Sequence, residues 1–453
     1  MPEQNENVEM AERIARLAEK QGGTAYYVGG FVRDRLRGAE SKDVDVEIHG
    51  LTPGQLEKLL DTLGERISVG ESFGVYMLRG YTLDIAMPRR EACRGRGHRD
   101  FEISVDPFIG AEKAAARRDF TINALMENVL TGEIIDPYGG RADLKNGVLR
   151  HVSDASFPED PLRVLRAAQF AARFGCAVAE ETVSLCSRMP LEGLAPERVM
   201  GELEKALLKA ERPSVFFGTL RRMGQLSVWF PELERTIGVE QDPLFHPEGD
   251  VWTHTLQVVD AAARFRDRVK DPLGFLLAAV VHDFGKTVCT QTVNGRIHAY
   301  RHETEGLPLA ESFLRRLTSD KARIAYALEL TACHMRPNML AHDGASVKAT
   351  NRLFDSVRDP EALLYLADAD RLGKNEPETD GAYRDFLRER LEIYAEYMRR
   401  PCVMGRDLVA AGVRPSARFS EYLDFAHRLQ LAGVEKKSAL CQTLAMARKN
   451  GDI

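Results

Sequence analysis

Cysteine is sparse in this chain and arranged in no useful pattern. The seven, at positions 93, 176, 186, 289, 333, 402 and 441, are odd in number, widely scattered and without a Cys-x-x-Cys pair. That excludes a disulfide framework and a zinc ribbon, and the thiols are expected to be buried side chains. Internal repeats, low-complexity tracts and membrane-spanning apolar runs are also missing. The start, Met1 to Val8, is polar and acidic with no apolar core for export, so the expected location is the cytoplasm. A surplus of positive charge is lacking too: 62 Lys and Arg stand against 68 Asp and Glu, a net charge of −6. This weakens nonspecific nucleic-acid binding, yet a local basic groove remains compatible with it, because charge distribution matters more than the sum. What is present is ordinary for a soluble protein. The 453 residues are 44% hydrophobic and 29% charged, enough for about three domains and a large core.

The most informative stretch is Tyr27-Val-Gly-Gly-Phe-Val-Arg-Asp-Arg-Leu-Arg-Gly38, followed by Asp43-Val-Asp-Val-Glu-Ile48. Gly29 and Gly30 follow a short apolar run and precede a helix-compatible segment, which bares backbone N–H groups where a phosphate could sit. The alternation after them predicts a strand, with Asp43 and Asp45 on one face and Val44, Val46 and Ile48 on the other. Two adjacent carboxylates repel unless a cation binds them, and magnesium bridging to substrate phosphates is the usual occupant. Tyr81-Thr-Leu-Asp84-Ile-Ala alternates as well. Asp84 joins the pair if the two strands are neighbours, and three carboxylates beside a Gly-Gly turn fit two-metal phosphoryl transfer. By themselves these residues leave a plain turn and a solvated edge strand equally open.

The motifs that follow narrow the choice. Gly29-Gly30-x-Val32-Arg33-Asp34, Asp43-x-Asp45, Arg117-Arg118-Asp119-Phe-Thr-Ile-Asn123, Asp136-Pro-Tyr-Gly-Gly140-x-x-Asp143 and Glu159-Asp160-Pro-Leu-Arg163-Val-Leu-Arg166 occur in this order. In order and spacing the chain resembles the class II nucleotidyltransferases, specifically the bacterial CCA-adding enzymes and the related bacterial poly(A) polymerases. The resemblance implies a metal-dependent enzyme using CTP and ATP on tRNA. It implies that Asp43 and Asp45 hold magnesium, that Asp84 helps deprotonate the 3′-hydroxyl, and that Gly29, Gly30 and Arg33 hold the triphosphate. Arg118, Asp119 and Asn123, on an expected helix, would contact ribose and phosphates. Arg163, Arg166, Arg173 and Arg221-Arg222 lie where the family places its RNA path. Two departures, Leu36-Arg37-Gly38 and Glu47, remove no metal ligand.

Asp160 and Arg163 are three apart in the apolar-sided segment Glu159 to Phe174, read as one helix, and so face the same way. One acceptor beside one donor matches the amino group and ring nitrogen of both cytosine and adenine, and mismatches uracil and guanine. The alternative is a simple intrahelical ion pair. Earlier, Val8 to Glu19 reads as a covering helix and Thr52 to Leu63 as a helix opened by Thr-Pro. Met87 to Ile109 is polar, basic and glycine-bearing and reads as a mobile loop. By resemblance it is the loop that serves the switch from C to A addition. Thr182 to Glu240 reads as helical.

A second chemistry begins near His246. His254, His282-Asp283, His302, His334 and the Asp368/Asp370 pair come in the order of an HD phosphohydrolase domain, with His282-Asp-Phe-Gly-Lys286 the most specific piece. Imidazoles with carboxylates suit nickel, manganese or another divalent metal, and a metal-bound water would serve phosphate-ester hydrolysis. By resemblance the substrates are 2′,3′-cyclic phosphates, 2′-nucleotides or phosphates at RNA ends. The expected class is α+β: a nucleotidyltransferase head with a small mixed or antiparallel sheet (1–145), a helical neck and body (146–240), the HD domain (241–375) and a helical tail (376–453). The competing readings are a poly(A) polymerase, a partial CC- or A-adding enzyme, and a phosphohydrolase whose head only binds RNA. Oligomeric state is left open.

Overall fold

The computed structural model describes residues 4–40, 43–68, 74–93, 101–374 and 381–453. By internal contacts the chain divides into Met1–Leu203 with Val215–Gln225, and Glu204–Ser214 with Leu226–Ile453. The first unit opens with α1 (Gln4–Glu19), β1 (Thr24–Val28), α2 (Gly30–Leu36), β2 (Val44–His49), α3 (Pro53–Asp61), β3 (Arg66–Ser68), β4 (Val75–Leu78) and β5 (Leu83–Ala86). It continues through β6 (Arg89–Cys93), β7 (Phe101–Val105), α4 (Ala111–Ala115), β8 (Met126–Asn128), β9 (Ile134–Ile135), α5 (Gly140–Asn146), β10 (Val148–Leu149), α6 (Leu162–Phe174), β11 (Ala177–Val178) and α7 (Glu180–Cys186). α8 (Pro196–Lys209) and α9 (Ser214–Arg222) follow.

Seven strands form one mixed sheet in the order β3-β4-β5-β2-β1-β8-β9. Only the β2–β5 pair in it is parallel. That one parallel contact decides the site, because it aligns the two acidic strands. Val44, Val46 and Ile48 are buried with Met10 and Ile14 of α1 and Leu56 and Leu60 of α3. Burying each such side chain contributes roughly 1.5–3 kcal/mol, and a one-residue slip of β2 would send Asp45 into this core. α3 starts where its Thr-Pro suggests: Gln55 reaches back to the Thr52 backbone N–H in a capping box.

Two expectations about secondary structure fail here. The Met87–Ile109 segment is not simply a loop, since β6 and β7 pair antiparallel from Arg89↔Val105 to Cys93↔Phe101. Cross-strand backbone hydrogen bonds satisfy this polar stretch, and Met87 and Val105 near its ends pack on the main core. Residues 94–100 of the predicted loop lie outside the described residues. Arg118 to Asn123 is not a helix either. Phe120 bridges to His151 and the Thr121 N–H donates to the Arg150 carbonyl, so only Thr121–Asn123 coils, as a single 3₁₀ turn.

The second unit is almost wholly helical: α10 (Leu226–Trp229), α11 (Pro231–Glu234), α12 (Val251–Ala263), α13 (Pro272–Val281), α14 (Lys286–Cys289), β12 (Gln291–Val293), β13 (Arg296–His298), α15 (His302–Glu305) and α16 (Leu307–Leu317). Then come α17 (Lys321–Cys333), α18 (Met335–His342), α19 (Val347–Asp355), α20 (Pro360–Leu372), α21 (Gly381–Arg399), α22 (Gly405–Ala410), α23 (Phe419–Leu431) and α24 (Lys436–Lys449). α13 is apolar on every side and buried throughout, as a central helix must be. Pro272–Cys289 is long and apolar enough to cross a membrane by composition, but 78% of it is buried inside the protein. Of the cysteines, 176, 186 and 333 are buried, whereas Cys402 and Cys441 are exposed, against expectation.

Candidate functional site

The aligned strands bring the first cluster together. Asp45 and Asp84 face each other in register across β2 and β5, and Asp43 immediately precedes β2. Burial raises the Asp45 carboxyl, Arg118 draws it part of the way back, and Asp84 and Asp43 push it up again. Burial and the Asp43 charge raise Asp84 as well. The three carboxylates feel one another electrostatically without gathering into a ready-made three-ligand set, and oxygen donors of this kind suit a hard divalent cation.

Gly29 closes the cluster from the β1 side. Its φ is +68°, and a Cβ there would lie 3.1 Å from Arg118 Nη1 and 3.7 Å from Asp45 Oδ2. Only glycine gives both this backbone and this clearance. Arg118 therefore stands directly over the glycine turn beside the carboxylates. Behind it sits Glu47, 1% exposed, with His49 Nε2 at 2.8 Å, Arg117 Nη2 at 3.4 Å and Arg118 Nη2 at 3.6 Å. Burial alone would raise this carboxyl, but His49 and the two arginines hold it down at about 2.

Arg33 differs from expectation. It is buried, donates to Asp34 and to Asn123 Oδ1 at 2.7 Å, and its guanidinium lies 4.3 Å from the Phe174 ring. Its donors are engaged inside the protein, so it braces the α2 turn. Asn123 passes the connection on: its Nδ2 donates to Asp119 Oδ1 at 2.9 Å, and Arg166 holds Asp119 Oδ2 at 2.5 and 2.8 Å. Burial would raise Asp119, yet Arg166 and Asn123 bring it below the ordinary carboxylate range. Arg33, Asn123, Asp119 and Arg166 thus form one continuous polar chain.

Asp160 and Arg163 are not one helical pair. α6 begins at Leu162, and Asp160 is extended before it, with Pro161 between. Asp160 binds Arg198 Nη2 at 2.9 and 3.1 Å. Arg163 donates to the Ser156 carbonyl at 2.5 Å and the Arg117 carbonyl at 2.9 Å. The second of these ties Arg163 to the segment that carries Arg118.

A second cluster forms within the helical unit. Asp283 is 1% exposed, and Lys286 Nζ lies 2.7 Å from its Oδ2. Oδ2 lies 3.3 Å from His282 Nε2 and 3.6 Å from His254 Nε2; Oδ1 lies 3.2 Å from His302 Nε2 and 3.7 Å from His334 Nε2. Asp370 Oδ1 meets His254 Nε2 at 2.9 Å. The Nδ1 atoms of His282, His302 and His334 bond the carbonyls of Ala279, Ala299 and Thr331 at 2.7–2.8 Å, and His254 Nδ1 faces Glu248 Oε1 at 2.7 Å. Every ring is fixed on its outer nitrogen and turns Nε2 inward. That is how metal-ligating histidines are held, and a buried carboxylate amid four such nitrogens fits a divalent ion. The donors can be grouped as His254, His282 and Asp370 on one side and Asp283, His302 and His334 on the other. Burial and the neighbouring imidazoles His282 and His302 lower His334 to about 3, which keeps it neutral and able to ligate. Gly285 allows the closure, because a Cβ there would run into the His302 carbonyl.

Asp368 is absent from this cluster. Two residues apart on α20 means about 200° of rotation, so Asp370 faces inward and Asp368 binds Arg384 Nε at 2.9 Å.

Each cluster falls within a stretch that matches a known domain. The profile described as Poly A polymerase head domain matches residues 25–150, and the HD domain profile matches 251–374. A multifunctional CCA protein of Nitrosococcus oceani is 38% identical over 402 residues, covering 86% of this chain and 94% of the relative. The chain belongs to the multifunctional CCA protein family. Another member, from Ralstonia nicotianae, is 39% identical over 369 residues, covering 78% of this chain and 82% of that one. The fold matches a Bacillus stearothermophilus CCA-adding enzyme in complex with CTP (TM-score 0.66, 22% identity, 98% and 99% of the two chains). It also matches a Thermotoga maritima CCA-adding enzyme complexed with tRNA (TM-score 0.63, 19% identity, 97% and 95%).

Within this family frame, sequence reasoning missed Glu47, Arg198 and Glu248. Glu47 continues the period of Asp43 and Asp45 on one strand face and could have been found that way. Glu248, whose side chain is fully buried and whose Oε1 also meets His246 Nδ1 at 2.8 Å, sits in a His-Pro-Glu run just before the Asp250 cap of α12. Arg198 is 38 residues from Asp160 and gave no sequence signal.

Proposed function

We propose that this protein adds CCA to tRNA 3′ ends from CTP and ATP without a nucleic-acid template, and that its second centre hydrolyses phosphate esters at RNA ends. The observation carrying the first part is the in-register pairing of Asp45 with Asp84 beside Gly29 and Arg118. Magnesium bound by Asp43 and Asp45 would neutralise the triphosphate and acidify the attacking hydroxyl. The 3′-oxygen bonds the α-phosphorus as the bond to pyrophosphate breaks, and Asp84, raised by burial, takes the hydroxyl proton. Gly29 and Gly30 offer backbone N–H groups to the phosphates, and Arg118 offers its fork.

Arg33, Asn123, Asp119 and Arg166 act as the brace of this pocket. Asp160, aligned by Arg198, accepts from the exocyclic amino group of cytosine or adenine, and Arg163 donates to the ring nitrogen. The division of labour follows the chain: head 1–145, neck and body 146–240, HD domain 241–375, tail 376–453. In the HD domain, His254, His282, Asp283, His302, His334 and Asp370 would hold manganese, nickel or another divalent ion, and the bound ion would supply hydroxide for hydrolysis. The cytoplasm, where tRNA and both nucleotides occur, is the proposed location.

The poly(A) polymerase head profile keeps one alternative in play: repeated A addition by the same head. Product length on a tRNA lacking its end separates the readings. Two added residues with CTP alone and a third only with both nucleotides supports CCA addition. A long tail with ATP alone supports the polymerase, and no extension with any mixture leaves the phosphohydrolase.

A further inference from the structure

Among the described residues of 226–374, the exposed large apolar side chains are Leu244, Phe245, Val288, Val293, Tyr300 and Met339. α12, α13, α16, α17, α19 and α20 contribute none of them. Nearly all instead occupy the short segments that deliver the metal-facing groups. Leu244 and Phe245 precede Glu248, which holds the outer nitrogen of the metal-facing His254; Val288 follows His282 and Asp283, Tyr300 precedes His302, and Met339 follows His334. Apolar exposure concentrated on the segments around a polar centre marks a surface that something covers.

Tyr300 is the best formed part of it. Its ring is 62% exposed and stacks on His298, with centroids 4.9 Å apart and planes 10° from parallel. Ala299, between the two rings, gives its carbonyl to His302 Nδ1 at 2.8 Å. Arg301 adopts φ +62°, the left-handed turn that swings the chain from β13 into α15. One bend therefore fixes both the stacked pair and a metal-facing histidine. Two residues span at most about 7 Å, so Tyr300 and His302 are within the reach of a single nucleotide. Arg296 and Arg301 are exposed on the same short stretch, Arg301 also reaching Glu305, and they put positive charge where a phosphodiester backbone would run.

We infer that the His298–Tyr300 stack is a nucleobase platform at the rim of the HD centre, holding the base of a terminal ribonucleotide whose 2′- or cyclic phosphate enters the centre. A flat aromatic face with flanking cations selects a base joined to a phosphate over a small phosphate ester, since every base has a π-face and glycerol has none.

The inference rests on the phosphate-ester reading of that centre, and the two can fail separately. The test measures hydrolysis of adenosine 2′-phosphate and glycerol 2-phosphate by the full-length protein with manganese, for the wild type, Tyr300→Ala and Tyr300→Trp. The expected result is a KM for adenosine 2′-phosphate raised about tenfold in Tyr300→Ala, restored in Tyr300→Trp, with glycerol 2-phosphate kinetics unchanged. Equal effects on both substrates, or no effect on either, overturns the platform. If the wild type hydrolyses neither, the phosphate-ester reading fails. Equilibrium dialysis of adenosine 2′-phosphate then decides the platform: weaker binding in Tyr300→Ala upholds it, and equal binding overturns it.

Discussion

The residue that tells most about the head is Asp45. Because burial and its acidic neighbours raise Asp45 and Asp84, their protonated forms favour the fold, and that contribution is lost as pH rises through the raised values. A divalent cation reverses the penalty only when the carboxylates are ionised. Magnesium should therefore raise the melting temperature more at about pH 7.5 than at about pH 4.5, and Asp45→Asn should remove the difference; a scan at the two pH values with and without magnesium checks it. Glu47 is a positioning residue by the same geometry: it backs Arg117 and Arg118 without facing substrate. Glu47→Gln should raise the KM for CTP and ATP about tenfold, a loss of ~1.4 kcal/mol, with a smaller change in kcat. Steady-state kinetics with each nucleotide tests this, and equal loss in kcat would argue for a direct role. The acidic pair was legible from sequence because a strand's period of two displays it. The partners Arg198 and Asp119 found for Asp160 and Arg166 were not, because those contacts join residues 38 and 47 apart through folding alone.

At the scale of elements, strands with alternating acids and helices with strong periodicity were readable, and segments whose state depends on neighbours were not. Arg118 to Asn123 carries a helix-compatible composition, yet Phe120 and Thr121 are drawn onto the His151 and Arg150 backbone, and tertiary pairing overrides propensity. Met87 to Ile109 lacks a core pattern, and the β6–β7 pairing comes from backbone bonds that hydropathy does not report. The contact of α14 with α15 is the most exposed to test. Gly285→Ala would push the His302 carbonyl away, so metal content should fall at least tenfold while nucleotide incorporation by the head is retained. On α20, Asp370→Asn should lose metal and Asp368→Asn should keep it; elemental analysis of the purified variants reads both. His334, lowered to about 3, contributes stability that is present above about pH 6.5 and fades as pH falls toward 3.

For the whole molecule, the two donor sets differ in chemistry and share no residue. One is carboxylate oxygen on a mixed sheet; the other is imidazole with carboxylate among helices. Asp283→Ala should abolish phosphate-ester hydrolysis and spare nucleotide addition, a separation that a defect in general folding would not produce. The order of motifs pointed to both domains before any geometry was known, whereas which of Asp368 and Asp370 faces the centre required the helix itself. The most direct test of the central claim is single-turnover incorporation of C and A into a tRNA lacking its 3′ end, measured against magnesium concentration for the wild type and Asp45→Asn. We predict magnesium-dependent addition by the wild type and a loss of about a thousandfold, ~4 kcal/mol, in the variant at unchanged secondary structure. Incorporation by Asp45→Asn at the wild-type rate would contradict the account.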